Sequence, residues 1–233
     1  MIPTGMPSFP HTITAGNNFM IREIKGGLYL VVDPMPGLQV IFSKIKSALE
    51  GGVDVIQIWD NWNSHSPQEE FILEICNLAH KHNVPVLINN HWKWLEKFPL
   101  DGVHLDVRVN DLHQIKKQIS RQFFVGITCG NDQVQIDWAI NNEIDYISFC
   151  SMFPSQTSNS CELVSPDIVK QVRALTNLPI YVSGGITIDN LPSLINLGIN
   201  GVAIISEIMK ADNVQLAASK FKQILSNQTL NKG

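Results

Sequence analysis

Charge is scarce in this chain. Only 16% of its 233 residues are Asp, Glu, Lys or Arg, and 17 basic against 21 acidic residues leave a formal net charge of −4. That balance, with no basic stripe, excludes generic nucleic-acid binding, which rests on neutralising backbone phosphates. No apolar run approaches the roughly 20 residues needed to cross a bilayer, so no membrane association is expected. Paired cysteines are missing as well. Cys76, Cys129, Cys150 and Cys161 form no Cys-x-x-Cys, and none lies at zinc-finger spacing from two histidines. A disulfide framework and structural zinc drop out, and reduced packing thiols in a cytoplasmic protein are expected. No Gly-x-Gly-x-x-Gly follows the first apolar run, which removes a dinucleotide-binding first unit. No Ser-His-Asp order, His-Glu-x-x-His or carboxylate pair stands out either. Residues 1–22 lack the basic start and continuous apolar stretch of a signal peptide. They read as a flexible arm before one domain over 23–228, with 229–233 as a tail.

What is present is a repeated pattern. Short apolar runs recur at Leu28–Asp33, Val55–Trp59, Val84–Asn89, Gly102–Leu105, Phe123–Thr128, Ile144–Cys150, Pro179–Ser183 and Gly201–Ser206. They are too short for free-standing helices and mostly non-alternating, as suits strands buried on both faces of a parallel sheet. Segments with helical spacing lie between them. Val40–Glu50 puts Val40, Ile41, Ile45, Ala48 and Leu49 on one stripe and stops at Gly51-Gly52, and Gln68–His82 repeats the design. Ser165-Pro166 reads as a cap and first turn for a helix through Leu175. Asp189–Leu197 and Val214–Leu225 close the series, and Trp92–Lys97 has room for a turn or two. Eight strands alternating with about eight helices predict a single (β/α)8 TIM barrel.

In such a barrel, chemistry sits at the carboxyl ends of the strands. Ser183-Gly184-Gly185-Ile186-Thr187 and Ile205-Ser206-Glu207 fall there on strands seven and eight. Glycines expose backbone N–H groups, and helix starts beside them favour anions, so a phosphate site is expected at Gly184, Gly185, Ile205 and Ser206. The loop after strand six carries Ser155, Thr157 and Ser158, hydroxyls able to donate to an anion. Asn89-Asn90 ends strand three, where short amides can hold a substrate or a hard cation. His104 near the end of strand four is either a structural hydrogen-bonder or a ligand-facing group. Trp59 and Trp62 could stack on a heteroaromatic ring or cap the barrel.

Taken in order, these segments resemble the thiamine-phosphate synthase family, with its thiazole tautomerase relatives, from about Gly27 to Leu225. The pieces that carry the resemblance are Leu28-Tyr29-Leu30-Val31-Val32-Asp33, Gly51-Gly52-Val53 with Ile56-Gln57, Asp101-Gly102-Val103-His104-Leu105, Phe153-Pro154-Ser155-Gln156-Thr157, Ser183-Gly184-Gly185-Ile186-Thr187 and Gly201 to Ser206. The resemblance implies an enzyme of thiamine biosynthesis, a transferase. It would join hydroxymethyl-pyrimidine diphosphate to thiazole phosphate and release diphosphate with the help of Mg²⁺. It places Gln57 and Asn89 on the pyrimidine, and Thr128 where the family has a diphosphate-contacting serine. Ser155 and Thr157 fall on the thiazole phosphate side, where Gly185, Ile205 and Ser206 supply backbone donors. Asn90 stands at the metal position, while Trp59, Asn61, His104 and Ser158 line the substrate. Small phosphorylated heterocycles are the implied partners, and a homodimer is compatible.

The chain departs from the family pattern at charged positions. Gln-x-Arg-x-Lys after strand two reads Gln57-Ile58-Trp59-Asp60-Asn61, Asn-Asp after strand three reads Asn89-Asn90, and Gly-Gln-x-Asp after strand four reads Asp106-Val107-Arg108-Val109. Thr-x-Thr-Lys after strand six reads Ser155-Gln156-Thr157-Ser158. A thiazole phosphate isomerase and a non-catalytic phosphate-binding relative are the alternatives. The tautomerase histidine after strand five is replaced by Thr128-Cys129-Gly130-Asn131, where Cys129 reads as a buried structural thiol ahead of a substitute proton carrier.

Overall fold

The computed structural model describes residues 23–62, 67–154 and 162–230, except for the side chains of 228–230. Eight parallel strands close into a barrel in sequence order. They are β1 (Gly27–Val32), β2 (Val55–Ile58), β3 (Val86–Asn89), β4 (Gly102–Leu105), β5 (Phe124–Thr128), β6 (Tyr146–Cys150), β7 (Ile180–Ser183) and β8 (Gly201–Ile204). The helices are α1 (Leu38–Glu50), α2 (Gln68–Lys81), α3 (Leu112–Gln118), α4 (Gln133–Asn141), α5 (Pro166–Leu175), α6 (Leu191–Ile195), α7 (Ser206–Met209) and α8 (Val214–Leu230). The single (β/α)8 barrel expected from the sequence is the fold observed. The 1–22 arm lies outside the described residues, and the last helix runs on to Leu230 rather than ending at Leu225.

Local chemistry explains several boundaries. Ser165 Oγ accepts the Asp167 N–H at 3.3 Å with Pro166 in the first turn, and Asp132 and Asp111 cap α4 and α3 in the same way. Gly52, at φ 95°, turns the chain after α1 through a conformation open to glycine. Trp92–Glu96 forms a 3-10 helix with no side-chain cap, in keeping with the turn or two predicted there.

The apolar residues divide into two clusters. The larger fills the space between barrel and helices, with Leu28, Ile45, Ile56, Ile72 and Phe221 in it. The smaller fills the barrel with Tyr29, Val55, Leu87, Tyr146, Tyr181 and Ala203. Three tyrosine rings meet there edge to face, at 5.3–5.9 Å between centroids.

One polar residue stands just before each even-numbered strand and ties down the strand before it. Asp54 accepts the Leu28 N–H, Asp101 that of Val86, Asp145 that of Val125 and Asn200 that of Ile180, at 2.7–2.9 Å. In return their own N–H groups donate to Leu28, Val86, Val125 and Ile180 carbonyls. These clamps satisfy strand-end donors that would otherwise be buried unpaired. Burial raises the Asp145 pKa, while the Val125 N–H bond and Lys116 oppose it less strongly. The acceptor, not the charge, is therefore what the barrel uses there. Asp145→Ala is expected to lower unfolding free energy by about 1–3 kcal/mol. Asp145→Asn, the arrangement already present at Asn200, should cost far less. Urea midpoints check this, and equal losses in the two variants would refute it.

Candidate active site

The strand ends converge on one rim, and most of the sequence-selected residues among those described fall into three groups on it. Inside the barrel just below the rim runs a line of hydrogen bonds. Tyr29 Oη donates to Gln57 Oε1, and Tyr29 Oη lies 2.8 Å from Tyr146 Oη. Tyr146 Oη is 2.8 Å from His104 Nδ1, and His104 Nε2 is 2.8 Å from Thr128 Oγ1. Gln57 on β2 and Thr128 on β5 are thus joined across the barrel through three buried side chains. Both ring nitrogens of His104 are taken, and burial pulls its pKa down to about 4 against an opposing pull from Asp106. It is a neutral imidazole in a closed network.

The second group occupies the ends of β2, β3 and β4. Asn89 is 1% exposed; its Nδ2 donates to the His104 carbonyl at 3.2 Å and to Asp106 Oδ1 at 3.0 Å. Asn90, at φ 59° in the left-handed region that asparagine tolerates, donates to Asp106 Oδ2 at 2.7 Å and accepts the Asp106 N–H at 3.0 Å. Asn61 donates to Asp33 at 3.0 Å, and His91 lies 2.8 Å from Asp60. Gln135 on α4 bridges the Asp106 and Thr128 carbonyls. Carboxylates and amides on this side have found partners among themselves.

The third group lies at β7 and β8, adjacent through the Ser183–Ala203 register. Gly184 and Gly185 have φ of 88° and 64°. A Cβ on Gly184 would meet Ser151 Oγ at 1.8 Å, and one on Gly185 would meet the Pro154 carbonyl at 2.6 Å and Phe153 Cβ at 2.8 Å. These glycines let the β6 and β7 loops pack together, a role that the expectation of ligand approach did not include. Among the described residues their N–H groups donate to no backbone carbonyl. Asn190 holds the loop by donating to the Gly185 carbonyl at 2.9 Å and accepting the Thr187 N–H at 2.8 Å. Ile205 and Ser206 open α7 beside it. The α6 and α7 helices span only five and four residues, so their starts add little dipole for an anion.

The family model described as thiamine monophosphate synthase matches residues 28–208. The chain belongs to that family. It is 27% identical over 207 residues to the thiamine-phosphate synthase of Nitrosococcus oceani, covering 88% of this chain and 95% of that one. The counterpart in a Hydrogenobaculum species is 29% identical, with 88% and 96% covered. Among solved structures, the thiamine phosphate pyrophosphorylase of Pyrococcus furiosus superposes with a TM-score of 0.74 at 21% identity, covering 88% of this chain and 97% of that one, a likeness of fold. A thiamine-phosphate synthase-like enzyme of the transferase class, belonging to thiamine biosynthesis, is the established frame for the site.

Within the family frame, Asn90 at the expected Mg²⁺ position is already engaged by its neighbours. Both Asp106 oxygens already accept amide N–H groups, and the Asn90 carbonyl oxygen already accepts the Asp106 N–H. Among the described residues no cluster of three His, Cys, Asp or Glu could hold a metal. This donor set does not fit a protein-held Mg²⁺, which wants carboxylate oxygens free for octahedral coordination. Asp111 caps α3 through the Gln114 N–H at 2.8 Å.

Trp62 packs edge-on against Phe71 and tilts against Trp94, so it belongs to the core beside α2 rather than to a stacking platform. Trp59 continues β2 by donating its N–H to the Val32 carbonyl at 2.9 Å. Burial pushes the Cys129 thiol up to about 12, with Asp132 adding to it, so a thiolate proton carrier is not available at neutral pH. Ser155, Thr157 and Ser158 lie outside the described residues. Sequence reasoning missed Tyr29, Tyr146, Gln135 and Asn190. Only the Thr187-x-x-Asn190 spacing offered a signal, that of a side chain closing on its own turn. No described helix is long and apolar enough to cross a membrane.

Proposed function

We propose that this chain joins hydroxymethyl-pyrimidine diphosphate to thiazole phosphate, releasing diphosphate, in the cytoplasm. The observation that carries the reading is the Gly184-Gly185 turn, whose N–H groups are undonated within the described backbone and lie beside the start of α7. That turn would hold the thiazole phosphate, with Ile205 and Ser206 on its flank. Gln57 and Asn89 would hold the pyrimidine from the opposite side of the mouth. The hydroxyls of Ser155, Thr157 and Ser158 would add donors on the thiazole phosphate side. A reaction in which the pyrimidine–diphosphate bond breaks before the new C–N bond forms asks mainly for positioning and charge stabilisation. This site supplies positioning through neutral amides and backbone donors. Mg²⁺ enters only as the counter-ion of the diphosphate substrate, and no residue role depends on it.

The test is incubation of the purified chain with both substrates, and conversion of thiamine phosphate to a fluorescent product. Thiamine phosphate should form. In Gly185→Ala, where a Cβ would force the Phe153–Pro154 segment aside, KM for thiazole phosphate should rise at least about tenfold, the scale of one or two lost hydrogen bonds. Absence of product, or an unchanged KM in a folded variant, would overturn the assignment.

A further inference from the structure

The hydrogen-bond line inside the barrel has a direction, and proton counting fixes it. Gln57 Oε1 can only accept, so the Tyr29 hydroxyl spends its proton there, at 2.8 Å. At the 2.8 Å contact between the two phenols, Tyr146 is therefore the donor and Tyr29 the acceptor. Burial raises both phenol pKa values, so each keeps its single proton. Tyr146 then has none left for His104 Nδ1, and the imidazole must donate across that 2.8 Å contact. A buried neutral ring carries one proton, here on Nδ1, which leaves Nε2 a bare acceptor. The Thr128 hydroxyl, 2.8 Å from Nε2, completes the line by donating inward.

We infer that Thr128 faces the ligand as a hydrogen-bond acceptor only, and that it recognises an N–H donor on the heterocyclic substrate. Gln57 sets this polarity from across the barrel, with Tyr29, Tyr146 and His104 as positioning residues that transmit it. A lone-pair-only oxygen repels a diphosphate oxygen, so the diphosphate contact implied for Thr128 by the resemblance gives way to a contact with a ring or exocyclic nitrogen. The ligand half of the inference rests on the reading above, while the proton directions do not.

The experiment is a nitrogen-15 spectrum of the full chain labelled at histidine, at neutral pH, with the His104 signals assigned by their shift in Thr128→Val. Nδ1 should be protonated and Nε2 bare. In Tyr29→Phe, Tyr146 loses its acceptor and turns its proton toward Nδ1, so the ring should switch to the Nε2–H form. An Nε2–H ring in the unmodified chain, or the same tautomer in both chains, would overturn the direction of the line. Neither spectrum needs turnover, so a failed synthase assay leaves this result standing. For the ligand, 4-aminopyrimidine should bind about tenfold tighter than 4-methylpyrimidine, which has the same shape without the donor. Thr128→Ser should keep that preference and Thr128→Val should lose it. Equal binding of the two probes by the unmodified chain would remove the donor readout.

Discussion

Gly126→Ala is expected to cost this barrel about 3 kcal/mol or more, at the upper end of what overpacking a core does. The added Cβ would lie 1.9 Å from Tyr146 Cζ and 2.2 Å from its Cε1. The ring has nowhere to retreat. Tyr29 and Tyr181 press on it edge to face at 5.9 and 5.3 Å, and its hydroxyl is held between Tyr29 and His104. Gly201 makes room for Tyr181 in the same way, with its own Cβ position 2.5 Å from that ring. Glycine on one strand thus matches an aromatic on the next, which lets three large rings share a small barrel. If that is why Gly126 is glycine, shortening the ring should rescue the methyl. Gly126→Ala combined with Tyr146→Leu should unfold at a higher urea concentration than the sum of the single changes predicts. The expected coupling is about 1–3 kcal/mol, the range for residues in direct contact. Strict additivity would show that the methyl finds room elsewhere.

The barrel was legible because burial on both faces leaves a simple trace. Non-alternating runs such as Val55–Ile58 and Gly102–Leu105, separated by striped helices, allow few other arrangements. Strand starts came out a residue or two early where an apolar residue precedes the first ladder bond, as at Val84 and Ile144. The four strand-end clamps left a trace in the sequence: Asp54, Asp101, Asp145 and Asn200 each follow an apolar residue and open an even-numbered strand. That trace has meaning only once the parallel pairing is known. The interior line was beyond reach for a different reason. Tyr29 and Tyr146 lie 117 positions apart, and nothing local to either reports that their hydroxyls meet. The positive φ of Gly184 and Gly185 agrees with a Gly-Gly pair placed at a strand end. The atoms crowding them, Ser151 and Pro154, come from another loop, which no local pattern identifies.

Asn90→Asp tests what the neutral side of the rim is for. The wild-type amide uses both ends on Asp106, donating to its carboxylate at 2.7 Å and accepting its N–H at 3.0 Å. Aspartate keeps the acceptor, tolerates the same left-handed backbone and loses the donor, so two carboxylates would face each other. Both sites are open to water, which limits the expected loss of stability to about 1 kcal/mol. Like charges raise a carboxyl pKa. The loss should therefore be fully present above that raised pKa and fade as pH falls through it. The paired carboxylates would also be a Mg²⁺ site that the amide version is not. Binding to the folded state alone adds stability of about 2.7 kcal/mol at a hundredfold excess over Kd. Melting with Mg²⁺, against sodium chloride of equal ionic strength, should raise the Tm of Asn90→Asp and leave the wild type unmoved. A wild-type Tm that climbs equally would mean Asp106 releases its amides and takes the ion already. A rise confined to the variant would mean that one amide at position 90 converts a metal-binding rim into a closed hydrogen-bonded one, with charge on the leaving group handled by the substrate's own counter-ion.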